Sequence, residues 1–262
     1  MLIERIVFMT NTTQLNRNWR EKVVLAYIDE PPFGMSNQSG SASGSDIELA
    51  EEILRSIGVR SVECRLTTFS ELLPGVAAGR WDISVPLFVT AERAELVVFG
   101  VPVWALYDGF LVRAGNPKHL TSYEGLARAG DALLGVITGQ VQHDAARRAG
   151  VPESRIKQYL HQQEAIDALL EGRIDAYAST ALGNRTLVRH IGNAALSAIS
   201  HDLTAATPYA PPKGAFSFAK VNVALRNEFD IQLRKYLGSL DHRSKMGRYG
   251  LTATEIDPVV VD

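Results

Sequence analysis

The sequence predicts an α/β protein of two lobes, each a mostly parallel sheet flanked by helices, with a cleft between them. Three observations predict it. Strand-like and helix-like segments alternate from Val23 onward, and the same order of segments returns after Leu133. A short pattern also recurs at the matching place. Gly79-Arg80-Trp81-Asp82-Ile83 and Gly172-Arg173-Ile174-Asp175-Ala176 both read G-R-x-D-apolar, each after an apolar helix and before a strand. At 262 residues the chain is long enough for two lobes with separate cores. Two βαβαβ copies imply parallel strands joined by right-handed crossovers.

VVLAYI (Val23 to Ile28) is a short apolar run that ends in the Pro-containing IDEPPFG, a central strand and its exit loop. Gly44-Ser45-Asp46 opens a helix. Ser45 with Glu48 three residues on predicts a capping box, and Ile47, Ala50, Ile53, Leu54 and Ile57 form one apolar face that Gly58 ends. VRSVECRLT alternates as a second strand. Phe69 to Gly79 reads as a helix with Pro74 in its first turn, and WDISVPLFV as a third strand. In the second copy LLGVIT, IKQYLH and RIDAYAS are strands, while GQVQHDAARRAG and EAIDALLEG are helices. The first copy is 17 residues longer, 56 steps from Val23 to Gly79 against 39 from Leu133 to Gly172. The excess falls mainly in the Gly-, Ser- and Pro-rich loop from Glu30 to Gly44. The expected lobes are residues 20–108 plus 204–262, and residues 109–203.

Composition narrows the function. With 46% hydrophobic and 21% charged residues the chain is an ordinary globular one. A net charge of -2 and scattered basic residues argue against nucleic acid. The single cysteine, Cys64, excludes an intramolecular disulfide and reads as a buried, inert thiol. The six histidines show no metal-ligand spacing, and no Walker A, GxGxxG or GxSxG pattern occurs, so no metal and no cofactor is expected. SRIK (Ser154 to Lys157) matches SxxK, but it lies in a polar loop and reads as chance. No window reaches the roughly 18 apolar residues of a membrane span, and MLIERIVFMTNTTQLNRNW lacks the apolar core and cleavage site of a signal peptide.

In open parallel sheets ligands sit beyond the carboxyl ends of the strands. That rule points to the loops after Ile28, Val89, Thr138 and Ser179, and to the long first loop. Within this frame GSDIELAEEI, ELLPGVAAGRWDIS, FVTAERAE and FGVPVW, in that order, resemble the family 3 extracellular solute-binding proteins of ABC importers. The likeness runs from about Val23 to Leu251. It implies the two-lobed periplasmic-binding-protein fold of type II, a non-enzymatic periplasmic receptor acting as a monomer, and a membrane permease as its partner. The resemblance makes Arg93, in the block led by Thr90, the holder of a ligand carboxylate. A guanidinium suits that task because its planar fork matches a carboxylate bidentately.

The family's amino-acid receptors place an Asp after the strand of the second lobe to hold an α-ammonium; this sequence has Thr180 there. Glu30, Phe33, Phe69 and Phe88 supply instead one carboxylate and three aromatic faces, suited to a delocalised or alkylated cation. With Arg93 the set resembles the ectoine- and hydroxyectoine-binding subgroup, as do AGNPKHLTSYEGLA, GRIDAYASTAL and GAFSFAK. Gln140 stands where the family has a Thr at the second-lobe helix start, whose N–H groups still suit a carboxylate. Trp104, after Pro102, reads equally as cavity wall or as packing. The expected ligand is a small zwitterion held between Arg93 and the aromatics on one lobe and Gln140 and Thr180 on the other. Closure would hinge near Pro102 to Gly109 and near Asp202 to Tyr209. The alternatives are a receptor for an ordinary polar amino acid, a sensor module, and a cyclohexadienyl dehydratase using Glu30 as its acid.

Overall fold

The computed structural model describes residues 18–37, 39–192, 194–202 and 210–260. The first strand, β1 (Lys22–Tyr27), is buried from Val23 onward, as a strand covered on both faces must be. The long loop after it folds into a two-stranded ribbon, β2 (Met35–Ser36) with β3 (Ala42–Ser43), before α1 (Ser45–Ser56). Next come β4 (Ser61–Leu66), α2 (Phe69–Ala77), β5 (Ile83–Phe88), α3 (Ala91–Leu96) and β6 (Val98–Ala105). The chain then enters a second sheet with β7 (Asp108–Arg113), followed by α4 (Tyr123–Arg128), β8 (Leu134–Ile137), α5 (Val141–Arg148) and β9 (Ile156–Tyr159). That lobe is completed by α6 (Gln162–Leu170), β10 (Ala176–Thr180), α7 (Ala181–Ile191) and β11 (Leu196–Ser200). The chain returns to the first sheet as β12 (Lys213–Phe218) and ends with α8 (Val223–Tyr236), α9 (Leu240–Gly247) and α10 (Ala253–Ile256).

The two sheets have matching topology. The first runs β4-β1-β5-β12-β6 and the second β9-β8-β10-β7-β11. In each, three strands of the repeat pair in parallel, and one strand, β12 or β7, runs against its neighbours. Four of five strands therefore point one way in each sheet, with their carboxyl ends at the cleft. The repeated Asp has a structural task. Asp82 accepts from Val24 N at 2.8 Å and Asp175 from Leu133 N at 2.9 Å, each tying the end of a helix-to-strand turn to the first strand of its repeat. Gly79 and Gly172, at φ +69° and +75°, turn the chain out of the preceding helix.

Two local expectations are corrected. The N-cap of α1 is Gly44, not Ser45, and no side chain caps the helix. Gly44 has φ +129°, and a Cβ there would lie 2.3 Å from the Phe33 carbonyl oxygen, so backbone approach decides the helix start rather than a capping box. Pro74 lies in the second turn of α2, as the sixth residue, not in the first. The first-lobe core joins β1, β5, β6 and β12 to α1 and α8. The second sheet has a core on each face, one around Phe110 and Leu134 and one around Leu111 and Leu169. Leu182 of α7 packs into the first-lobe core, so the start of that helix bridges the lobes. Leu106 and Tyr107 form the first crossover. Of the second expected hinge, Asp202 to Tyr209, all but Asp202 lies outside the described residues. No helix among the described residues is long and apolar enough to cross a membrane.

Candidate ligand-binding site

The strand ends bring the site together. Beyond β1, Glu30 and Gly34 form a β-bridge around a turn with a cis Pro31–Pro32 peptide, and Phe33 N donates to Glu30 O at 3.0 Å. The close approach of Gly44 packs this turn against the start of α1, which seats Phe33 inward. Phe88 is the last residue of β5 and Phe69 the first of α2. Arg93 projects from α3, whose N-cap Thr90 accepts from Arg93 N. From the second lobe come Gln140, the N-cap of α5, and Ser179 and Thr180 at the end of β10. All seven residues singled out in the sequence, Glu30, Phe33, Phe69, Phe88, Arg93, Gln140 and Thr180, line one interlobe cavity of about 50 Å³.

The cavity is polarised. At one end Glu30 is buried (8% exposed) and takes three hydrogen bonds from the second lobe. Gln140 Nε2 donates to Oε1 at 3.2 Å and to Oε2 at 3.1 Å, and Ser179 Oγ donates to Oε1 at 3.0 Å. Burial raises the Glu30 carboxyl above its ordinary range, and the bonds from Gln140 and Ser179 oppose that rise only in part. Beside it lies Asp46, 2% exposed, which accepts from Trp104 Nε1 at 3.3 Å and from Ser45 Oγ at 3.3 Å. Burial holds Asp46 well above the carboxylate range, and the neighbouring Glu30 adds to the rise.

At the other end is Arg93. Its Nη1 donates to Phe88 O at 2.8 Å and its Nη2 to Gly139 O at 3.0 Å, so the guanidinium also bridges the lobes. Its carbon lies 5.3 Å from the Phe69 ring centroid. Burial lowers Arg93 to about 10, which leaves it charged at neutral pH. Two of its five N–H donors are used, and three have no protein acceptor among the described residues. Aromatic rings form the wall between the ends. Trp104 lies 5.8 Å from Phe33 and 5.2 Å edge-on from Phe88, centroid to centroid.

Some placements differ from the sequence reading. Thr180 caps α7, its Oγ1 accepting from Gly183 N at 3.1 Å, so its hydroxyl is engaged in the backbone while the residue forms cavity wall. Trp104 is both packing and wall. Asp46 and Ser179 were not singled out. Asp46 reads in sequence as an acidic first-turn residue, favourable there for the helix dipole, and nothing nearby shows that it turns inward. Ser179 alternates with the buried Ala178 along a strand, and only its neighbour Thr180 carried a family signal. Two further spaces adjoin the cavity. One of about 250 Å³ lies beyond Glu30 and Gln140, lined by Thr67, Thr68, Leu160 and His161. A cleft of about 910 Å³ lies on the Arg93 side. No group of His, Cys, Asp and Glu among the described residues is arranged to hold a metal ion.

Known proteins share this architecture. Residues 23–237 match the bacterial extracellular solute-binding proteins, family 3. A probable amino-acid ABC transporter periplasmic-binding protein of Sinorhizobium fredii is 28% identical over 243 residues, covering 88% of this chain and 77% of that protein. The histidine-binding periplasmic protein of Escherichia coli is 30% identical over 152 residues, 55% of each chain. Among solved structures, EhuB in complex with hydroxyectoine superposes with a TM-score of 0.80 at 28% identity, covering 92% of this chain and 95% of that one. An ancestral amino-acid-binding protein described as a precursor of cyclohexadienyl dehydratase matches at 23% identity and TM-score 0.74, a likeness of fold alone. With two matched lobes, an interlobe cavity and a family match over most of its length, the chain belongs to the family 3 bacterial extracellular solute-binding proteins, which bind solutes rather than transform them.

Proposed function

We propose that this protein captures a small zwitterion of the ectoine or hydroxyectoine type in the periplasm, closes its two lobes over it, and delivers it to the permease of an ABC importer. One observation carries the reading: the cavity is divided by charge, with Glu30 and Asp46 at one end, Arg93 at the other, and Phe33, Phe88 and Trp104 between them. The unused N–H donors of Arg93 suit a carboxylate. The aromatic faces suit a delocalised cation, whose N–H groups the carboxyls accept. Thr180 supplies no anion for an α-ammonium, which disfavours an ordinary amino acid. The likeness to EhuB supports the same class of ligand.

The test is a thermal-shift panel of ectoine, hydroxyectoine, proline, glycine betaine, histidine, glutamate and arginine. At a hundred times its dissociation constant a ligand adds about 2.7 kcal/mol of stability, a shift of several degrees. The reading predicts the largest shift with the ectoines. A larger shift with histidine, glutamate or arginine would replace it with an amino-acid receptor.

A further inference from the structure

We propose that Asp46 and Glu30 hold a shared proton when the cavity is empty and release it when a ligand's cationic group arrives, which makes Asp46 a specificity-determining residue for cations that carry N–H donors. This deepens the function proposed above and rests on it for the ligand used. The geometry is that of two buried carboxyls lining one small cavity, neither of them ion-paired among the described residues. Asp46 accepts both of its hydrogen bonds on Oδ1, and Oδ2 has no donor among the described residues. Among the described residues the Glu30 carboxyl is bound by neutral groups, Gln140 and Ser179. The Oε1 of Gln140 is itself buried without a partner among the described residues, so this end of the cavity holds unfilled acceptor positions on Asp46 and Gln140.

The other charged groups do not relieve the pair. Arg93, the cation that lines the same cavity, turns two N–H groups to carbonyls and is influenced by Glu92 and Asp144 rather than by the carboxyl end. From β10, Tyr177 feels the Glu30 charge, but its own hydroxyl is raised by burial and stays neutral. On α1, Glu48 is turned to Arg248 and Tyr249. Two negative charges in this space would each be desolvated and repel the other, so one proton is retained. Burial raises both groups, consistent with that state. The exchange balances simply. The ligand's N–H groups take the oxygens, the carboxylic O–H dissociates, and its proton passes to water. A trimethylammonium group has no N–H to offer Asp46 Oδ2, so it cannot complete this exchange.

Two measurements test the proposal. First, the carboxyl carbons of the ligand-free protein are titrated by carbon-13 NMR, in wild type and Asp46→Asn. The Glu30 or the Asp46 carboxyl should titrate well above the ordinary range in wild type, and the Glu30 signal should move back toward that range in the variant. Glu30 and Asp46 carboxyls that both titrate normally would overturn the proposal, with or without a known ligand. Second, ectoine is titrated calorimetrically between pH 5.5 and 8 in buffers of differing ionisation enthalpy. Wild type should release a proton and bind more tightly as pH rises, by up to about tenfold per unit; Asp46→Asn should lose most of that dependence. Glycine betaine binding as tightly as ectoine would overturn the assigned specificity. Absence of ectoine binding at every pH would count against the proposed function, while the NMR titration would still decide the shared proton. Should Asp46→Asn fail to fold, the protonated-carboxyl infrared band of wild type and its loss on adding ectoine give the same reading.

Discussion

Arg93 and Phe88 each line the cavity and also hold the fold together around it. Arg93 joins the lobes through Phe88 O and Gly139 O and keeps donors in reserve. Arg93→Ala is expected to weaken ectoine binding about 100-fold or more, and Arg93→Lys to recover little, because a point charge does not reproduce the planar fork. Phe88 is nearly buried and packs edge-on against Trp104. Phe88→Ala should cost about 3–5 kcal/mol in denaturant unfolding, whereas Phe88→Leu should cost less than about 1.5 kcal/mol yet still lose affinity. Residues marked by type and loop position, such as Phe33 after two prolines or Arg93 behind Thr90, were legible in the sequence. Asp46 was not, because an inward turn at a helix start depends on Trp104, 58 residues away.

At the scale of elements, β12 is the piece that sequence periodicity could not place. Its residues pair with β5 and β6, so its reversed direction and its seat between them follow from contacts distant along the chain. There Gly214 passes under Trp104, and a Cβ at this position would lie 2.0 Å from the indole. Gly214→Ala should therefore displace Trp104, lower stability, and weaken ligand binding together, as seen by paired denaturation and calorimetry. The G-R-x-D repeat was legible because both copies use the same bond from Asp to the first strand of the repeat. The start of α1 was misread because Gly44 abuts Phe33, a contact that local spacing does not encode. β7 carries a pH-sensitive group at the lobe crossover. Asp108 accepts from Tyr123 at 2.8 Å and Gln142 at 2.8 Å, and burial pushes its carboxyl up to about 6. The folded state thus holds this proton more tightly than the unfolded chain, so the group's stabilising contribution is full below about pH 4 and declines as pH rises through about 6. Thermal unfolding across that window should show Asp108→Asn gaining on wild type as pH increases; a constant difference would refute the assignment.

For the whole molecule, the bonds from Gln140 and Ser179 to Glu30, and from Arg93 to Gly139, hold the lobes together over a cavity of about 50 Å³. On the function proposed above, these bonds part to admit the ligand and the lobes close again over it. Leu66 and Leu160 are exposed on opposite lobes beside the adjoining space. Spin labels at Leu66→Cys and Leu160→Cys, with Cys64→Ala, should report a distance distribution that ectoine shortens and narrows. The two-lobed plan was legible from the repeat, while the charge division of the cavity emerges only when Glu30, Asp46 and Arg93 are brought together from three separate segments. That division is tested most directly by calorimetric titration of ectoine into wild type and Arg93→Ala at neutral pH. One saturable site per chain in wild type, lost at least about 100-fold in the variant, is the predicted result; no binding of ectoine or hydroxyectoine to wild type, or equal binding by both proteins, would contradict it.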